Sequence, residues 1–107
     1  MTSFVFFGGS ILDVDDGILK SGFEVRVEDD RIVAISDQPV TAPAAQRIDL
    51  AGRTLMPGLV DAHVHVAATL VDLAENAALP TSLIALRSAK IMRDMLMRGF
   101  TTLRDLA

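Results

Sequence analysis

Cysteine is absent from the 107 residues, so neither a disulfide framework nor a cysteine-built zinc module can hold this chain together. A basic excess is absent as well. Ten Lys and Arg stand against fourteen Asp and Glu, a formal charge of -4, and the pI lies near 4.9. That balance leaves no electrostatic footprint for nucleic acid or for an anionic membrane. No run approaches the roughly 20 apolar residues of a membrane span. The stretch Phe4-Val5-Phe6-Phe7 has no Lys or Arg before it, and Asp13, Asp15 and Asp16 follow soon after, so it reads as a strand and not as a secretory signal. With neither cysteine nor an export signal, the expected compartment is the cytoplasm. What is abundant is apolar: 50% of residues are hydrophobic and 22% charged, which excludes a disordered tail. The mean hydropathy of +0.40 is high for a small domain and predicts surface covered by more chain or by another subunit, as in a homo-oligomer.

The first half has the pattern of short strands. Phe4–Phe7 and Ile11–Val14 flank Gly8-Gly9-Ser10, a turn or bulge, and Asp15-Asp16-Gly17 is a second turn signal. Phe23-Glu24-Val25-Arg26-Val27-Glu28 alternates with period two, which predicts a strand with one wet face. Asp29-Asp30 leads it into Arg31-Ile32-Val33-Ala34-Ile35, so residues 23–36 read as a hairpin. Residues 38–46 form a loop holding Pro39 and Pro43, and Ile48-Asp49-Leu50 is a further short strand.

The second half changes idiom. Pro57-Gly58 predicts a type II turn with Gly58 at positive φ. In the predicted strand 59–66, Val60, Ala62, Val64 and Val66 share one face, while Asp61, His63 and His65 share the other. A helix follows, with Thr81 or Ser82 as N-cap and an apolar stripe of Ile84, Ile91, Met92 and Met95. Arg87, Lys90, Asp94 and Arg98 face water, Asp94 pairs with Arg98 at i,i+4, and Gly99 ends the helix. Residues 100–105 read as another strand, completing a βαβ unit with parallel strands.

His63 and His65 are the only histidines. At i and i+2 of a strand their Cα atoms lie about 6.6 Å apart and their rings point the same way. From there both imidazoles can lean onto one ion at about 2.0–2.1 Å. Asp61, one step deeper on that face, could orient an imidazole through the nitrogen not used for metal. A bare His-x-His is more often an incidental alternation on a half-exposed strand than a metal site. A polar Asp, His, His face in an otherwise apolar strand is nevertheless costly to bury without a partner. Two ligands are also too few, since catalytic zinc keeps about three protein ligands. Any complete site draws on residues outside this chain.

The run Leu55-Met56-Pro57-Gly58-Leu59-Val60-Asp61-Ala62-His63-Val64-His65 resembles the first barrel strand of the amidohydrolase superfamily. Gly99-Phe100-Thr101-Thr102-Leu103-Arg104-Asp105 is similar to the second strand of the branch holding Xaa-Pro dipeptidases and imidazolonepropionases. The resemblance implies an α/β fold: the start of a (β/α)8 TIM-type barrel preceded by strands of a small β-sandwich built from both chain ends. Residues 1–54 would be sandwich strands, and residues 55–107 the first βαβ unit. It implies that His63 and His65 hold the more buried divalent metal of a two-zinc site. A bridging carboxylated lysine, two further histidines and a proton-shuttling aspartate would lie on later strands. A (β/α)8 barrel takes about 250 residues, so the chain is expected to be a truncated N-terminal piece, inactive alone, whose partner is the rest of its own barrel. The implied substrate is a small molecule, and the implied reaction is amide hydrolysis in a dipeptide or N-acyl amino acid. A cyclic amide or a deaminase substrate is the alternative within the superfamily. Outside it, the rival is a non-enzymatic β-rich binding domain with an incidental histidine pair.

Smaller candidates have two readings each. Arg104 and Asp105 line the cavity at the C-terminal strand end, where such barrels do chemistry, or form a strand-end ion pair. Met92, Met95 and Met97 offer a flexible binding surface or, for the first two, core packing. Asp13, Asp15 and Asp16 lack the spacing of a calcium loop and read as a solvated turn. Asp72 and Glu75 edge a substrate pocket or lie on a solvated helix face.

Overall fold

Period-two alternation in the first half builds two sheets. The computed structural model describes residues 2–106, and the chain divides into two compact units on either side of the Pro57–Gly58 bond. In the first unit, β1 (Ser3–Phe7), β4 (Glu24–Glu28), β5 (Arg31–Ser36) and β6 (Gln46–Asp49) form a sheet of order β5-β4-β1-β6. The strands β2 (Ser10–Asp13), β3 (Ile18–Ser21) and β7 (Thr54–Leu55) form a second sheet of order β3-β2-β7. The predicted hairpin is β4–β5, turned at Asp29-Asp30 with Asp29 at φ 50 and carrying a register shift between Arg26 and Val27. The strands β3 and β7 escaped the sequence reading, because each is short and lies against a turn.

Register sorts the larger sheet into two faces. Phe6 lies opposite Val25, and Val25 opposite Ile35, on an apolar face. Val5 lies opposite Arg26 and Arg47 on the other. The expectation of a wet charged face needs correcting. Arg47 bonds Glu24 at 2.6 Å and stacks 4.5 Å above the Phe7 ring, and Arg26 pairs with Glu28. This paired layer buries Val5 to 1% exposure, and Glu24 itself keeps only 15% of its side-chain surface. Paired charges can lie down on a sheet where isolated ones would stand out into water. Gly8-Gly9 is the corner where the chain leaves one sheet for the other. A side chain at Gly9 would stand 2.2 Å from the Arg53 carbonyl oxygen, which instead accepts the Ser10 N–H at 3.1 Å. The Asp13 carboxylate accepts the N–H groups of Asp15 and Asp16 and pairs with Lys20, so that run is a solvated turn as expected.

The second unit holds β8 (Leu59–Val64), α1 (Leu73–Ala77), α2 (Thr81–Leu96) and β9 (Phe100–Asp105), with β8 and β9 parallel. Four expectations change. The strand ends at Val64, so His65 lies one residue beyond it. Gly58 is not among the positive-φ glycines; its smallness serves close packing, since a Cβ there would stand 2.0 Å from Thr101 Oγ1. The N-cap of α2 is Pro80, whose ring carries no acceptor, so there is no side-chain cap bond; its carbonyl accepts the N–H groups of Leu83 and Ile84 at 2.9 and 3.1 Å. Asp94 pairs with Lys90 at 2.5 Å and not with Arg98. The helix buries Ser88 and Met95, while Met92 is 44% exposed and Met97 72%. Ile84, Ser88, Ile91 and Met95, each buried or half-buried, recur at helical spacing. No helix among the described residues is long and apolar enough to cross a membrane.

Candidate metal centre

The two histidine rings meet. His63 Nε2 and His65 Nε2 stand 3.2 Å apart, with ring centroids 5.1 Å apart and planes at 84°. Both rings stand on one side of the chain, and Val64 between them points into the unit at 9% exposure. Both rings are exposed. Two nitrogens each about 2.0–2.1 Å from one zinc stand 3.2 Å apart when they subtend roughly 100° at it, within the tetrahedral range. The donor pair therefore fits two neighbouring ligands of a single ion. Among the described residues no three His, Cys, Asp or Glu side chains gather into a metal-holding cluster. By themselves the two rings would supply two donors to an ion.

Asp61 supports the first histidine through the main chain. Its Oδ1 accepts the main-chain N–H of His63 at 3.2 Å, a local turn-like bond that stiffens the strand beneath the first ring. Asp105, at the end of β9, accepts the Val66 N–H through Oδ2 at 3.0 Å, and Leu106 N–H bonds the Val64 carbonyl at 3.1 Å. The second strand end is thus stitched to the segment that carries His65. Arg104 is exposed beside it.

Two residues that hold this segment were missed from the sequence. Asn76 in α1 gathers the loop after His65: its Oδ1 accepts from Thr69 N–H, Thr69 Oγ1 and Leu70 N–H, and its Nδ2 donates to the Ala67 carbonyl at 3.1 Å. Ser88 in α2 donates to the Val66 carbonyl at 2.9 Å. A signal for Ser88 was present, since it occupies an apolar position of the helical stripe. For Asn76 there was none beyond its being amidic. Asp72 is the N-cap of α1, accepting from the N–H groups of Ala74 and Glu75, so its carboxylate is spent on the backbone.

The family model described as amidohydrolase family matches residues 46–95. A crystal structure of a prolidase complexed with N-methylphosphonate-L-proline superposes with a TM-score of 0.92 at 46% identity, over 97% of this chain and 26% of that one. The chain belongs to the amidohydrolase family. Curated amidohydrolase relatives include the dihydroorotase of Syntrophotalea carbinolica, 43% identical over 54% of this chain. The adenine deaminase of Escherichia coli is 37% identical over 69% of it. The chain spans 13% of the length of each of these two. The segment matched by the family model contains Asp61, His63, His65, Asn76 and Ser88.

Proposed function

We propose that this chain opens a metal-dependent amidohydrolase in which His63 and His65 bind one divalent ion. The observation that carries the reading is the 3.2 Å separation of their Nε2 atoms. In this reading residues 1–54 are strands of a small β-sandwich, and residues 55–107 are the first βαβ unit of a (β/α)8 barrel completed by later chain. The 26% coverage of the prolidase structure supports that assignment, because a barrel needs about 250 residues. A two-zinc centre with a carboxylated lysine would complete the ligand set from outside these residues.

A divalent ion held by His63 and His65 would supply Lewis-acid chemistry to a hydrolytic site. The chain's own contribution is positional. To hold the ion, His63 and His65 would each turn an Nε2 lone pair to it, with the ring proton on Nδ1. Asp61 holds the His63 backbone, and Arg104 stands at the strand end facing substrate. The substrate favoured is a dipeptide or N-acyl amino acid, because of the 46% identity to a prolidase. The dihydroorotase and adenine deaminase relatives support a second reading, with cyclic amides or amino-purines.

The test is to express the complete reading frame, load it with zinc, and assay Xaa-Pro dipeptides, N-acyl amino acids, dihydroorotate and adenine in parallel. Turnover of the first two, lost by orders of magnitude in His63→Ala with the circular dichroism spectrum retained, is the expected result. Near-parental turnover in His63→Ala at full metal occupancy would overturn the ligand assignment.

A further inference from the structure

At His65 the chain has already left β8, so the strand ladder no longer fixes where the second ring stands. Among the described residues, the only hydrogen-bonding contact of either ring is with the other. The placement of His65 is therefore inherited from its backbone. That backbone is gripped at Val66, from two elements: Asp105 Oδ2 on the N–H at 3.0 Å, and Ser88 Oγ on the C=O at 2.9 Å.

Ser88 is hard to explain as part of the helix alone. It is 8% exposed and occupies the stripe position between Ile84 and Ile91, where alanine would pack without a polar atom and would favour the helix. A mid-helix serine can satisfy itself on the carbonyl four residues back, and Ser88 does reach Ile84 O at 2.9 Å. Its oxygen lies equally close to Val66 O, so one hydroxyl proton is shared between the helix and the segment that carries His65.

We propose that Ser88 is a positioning residue for the metal pair: by fixing the Val66 carbonyl it sets how the chain leaves β8, and with it the spacing of His65 Nε2 from His63 Nε2. The inference rests on reading the two histidines as metal ligands. Outer groups that orient ligands typically change metal affinity about 10–100-fold when removed, and a ligand misplaced by a fraction of an ångström suffices for that.

The experiment measures zinc affinity by chelator competition on the complete polypeptide, in the parent and in His63→Ala, Ser88→Ala, Ser88→Thr and Ser88→Val. Thr and Val have nearly the same shape and differ in the hydroxyl, so that pair carries the test even if Ser88→Ala fails to fold. Expected are a weakening of about tenfold or more in the Ala and Val variants and affinity within about threefold of the parent in Thr. A second readout is the imidazole ¹⁵N spectrum of the zinc-free protein, in which the His65 signals should shift in Ser88→Val and hold in Ser88→Thr. Equal affinities for Thr and Val, or an unchanged affinity in Ser88→Ala, would overturn the positioning role. Zinc affinity unaffected by His63→Ala would instead sink the ligand reading itself, and the two failures are told apart by that one variant.

Discussion

Gly58 and Thr101 sit so close across the β8–β9 pair that a single methyl group on the glycine would lie 2.0 Å from Thr101 Oγ1, 2.4 Å from its Cγ2 and 2.7 Å from its Cβ. The last of these atoms cannot swing away, because Cβ moves only with the backbone.

Gly58→Ala should therefore destabilise the protein by about 1–3 kcal/mol, the usual scale of overpacking. Chemical denaturation of parent and variant measures it. Thr101→Gly in the same background should recover part of the loss, since it removes the clashing atoms; additivity of the two changes would show that the contact is not the cause.

Much of the architecture was legible because local rules and burial agreed. The alternation of residues 23–36 specified a hairpin, and β8, α2 and β9 followed from periodicity. The misreadings came from interactions that cross the chain. The charged face of β4 looked wet because Arg47, which lies down on Glu24 and Phe7, is distant in sequence. Gly58 was read as a turn glycine because a local dipeptide cannot reveal Thr101 opposite it. Asp94 has basic residues at both i-4 and i+4, and side-chain geometry chose Lys90. For the candidate site, the histidines were visible as the only two in the chain, whereas their supports, Ser88 and Asn76, act on backbone carbonyls and amides that no pattern of residue types reports.

Asn76 should prove structural for the loop that follows His65. Its amide serves Ala67, Thr69 and Leu70 together, and Asn76→Ala leaves those backbone groups to water or unpaired. The expected cost is about 1–3 kcal/mol. Amide hydrogen exchange should rise at Thr69 and Leu70, while the Ser10 amide in the first unit stays as protected as in the parent. Unchanged exchange at Thr69 would show that the loop is held by other means.

The Glu24 carboxyl titrates below its ordinary value of 4.5, chiefly through its hydrogen bond with Arg47 and then through the Val40 N–H. A carboxylate whose folded-state pKa is depressed adds stability above its unfolded pKa, and this is lost as pH falls through the folded value. The difference in unfolding free energy between the parent and Glu24→Gln should therefore be full at neutral pH and shrink below about pH 4.5. A difference that stayed constant down to the acid limb would assign the effect to packing and not to charge.

The parallel pairing of β1 with β6, and of β2 with β7, also fixes a timetable. Phe4 meets Gln46, and Ile11 meets Leu55, so each contact waits for about forty further residues to be made. At a synthesis rate of about 5–20 residues per second, that wait lasts on the order of 2–8 seconds. The β4–β5 hairpin needs only its own turn and closes in about 1–10 microseconds once exposed. For those seconds the Phe4–Phe7 segment has no β6 on its outer edge, and an apolar strand with a bare edge is what a neighbouring nascent chain can pair with. The hazard of this topology thus falls during birth on the ribosome, and a chaperone that shields the first fifty or so residues would act on that interval.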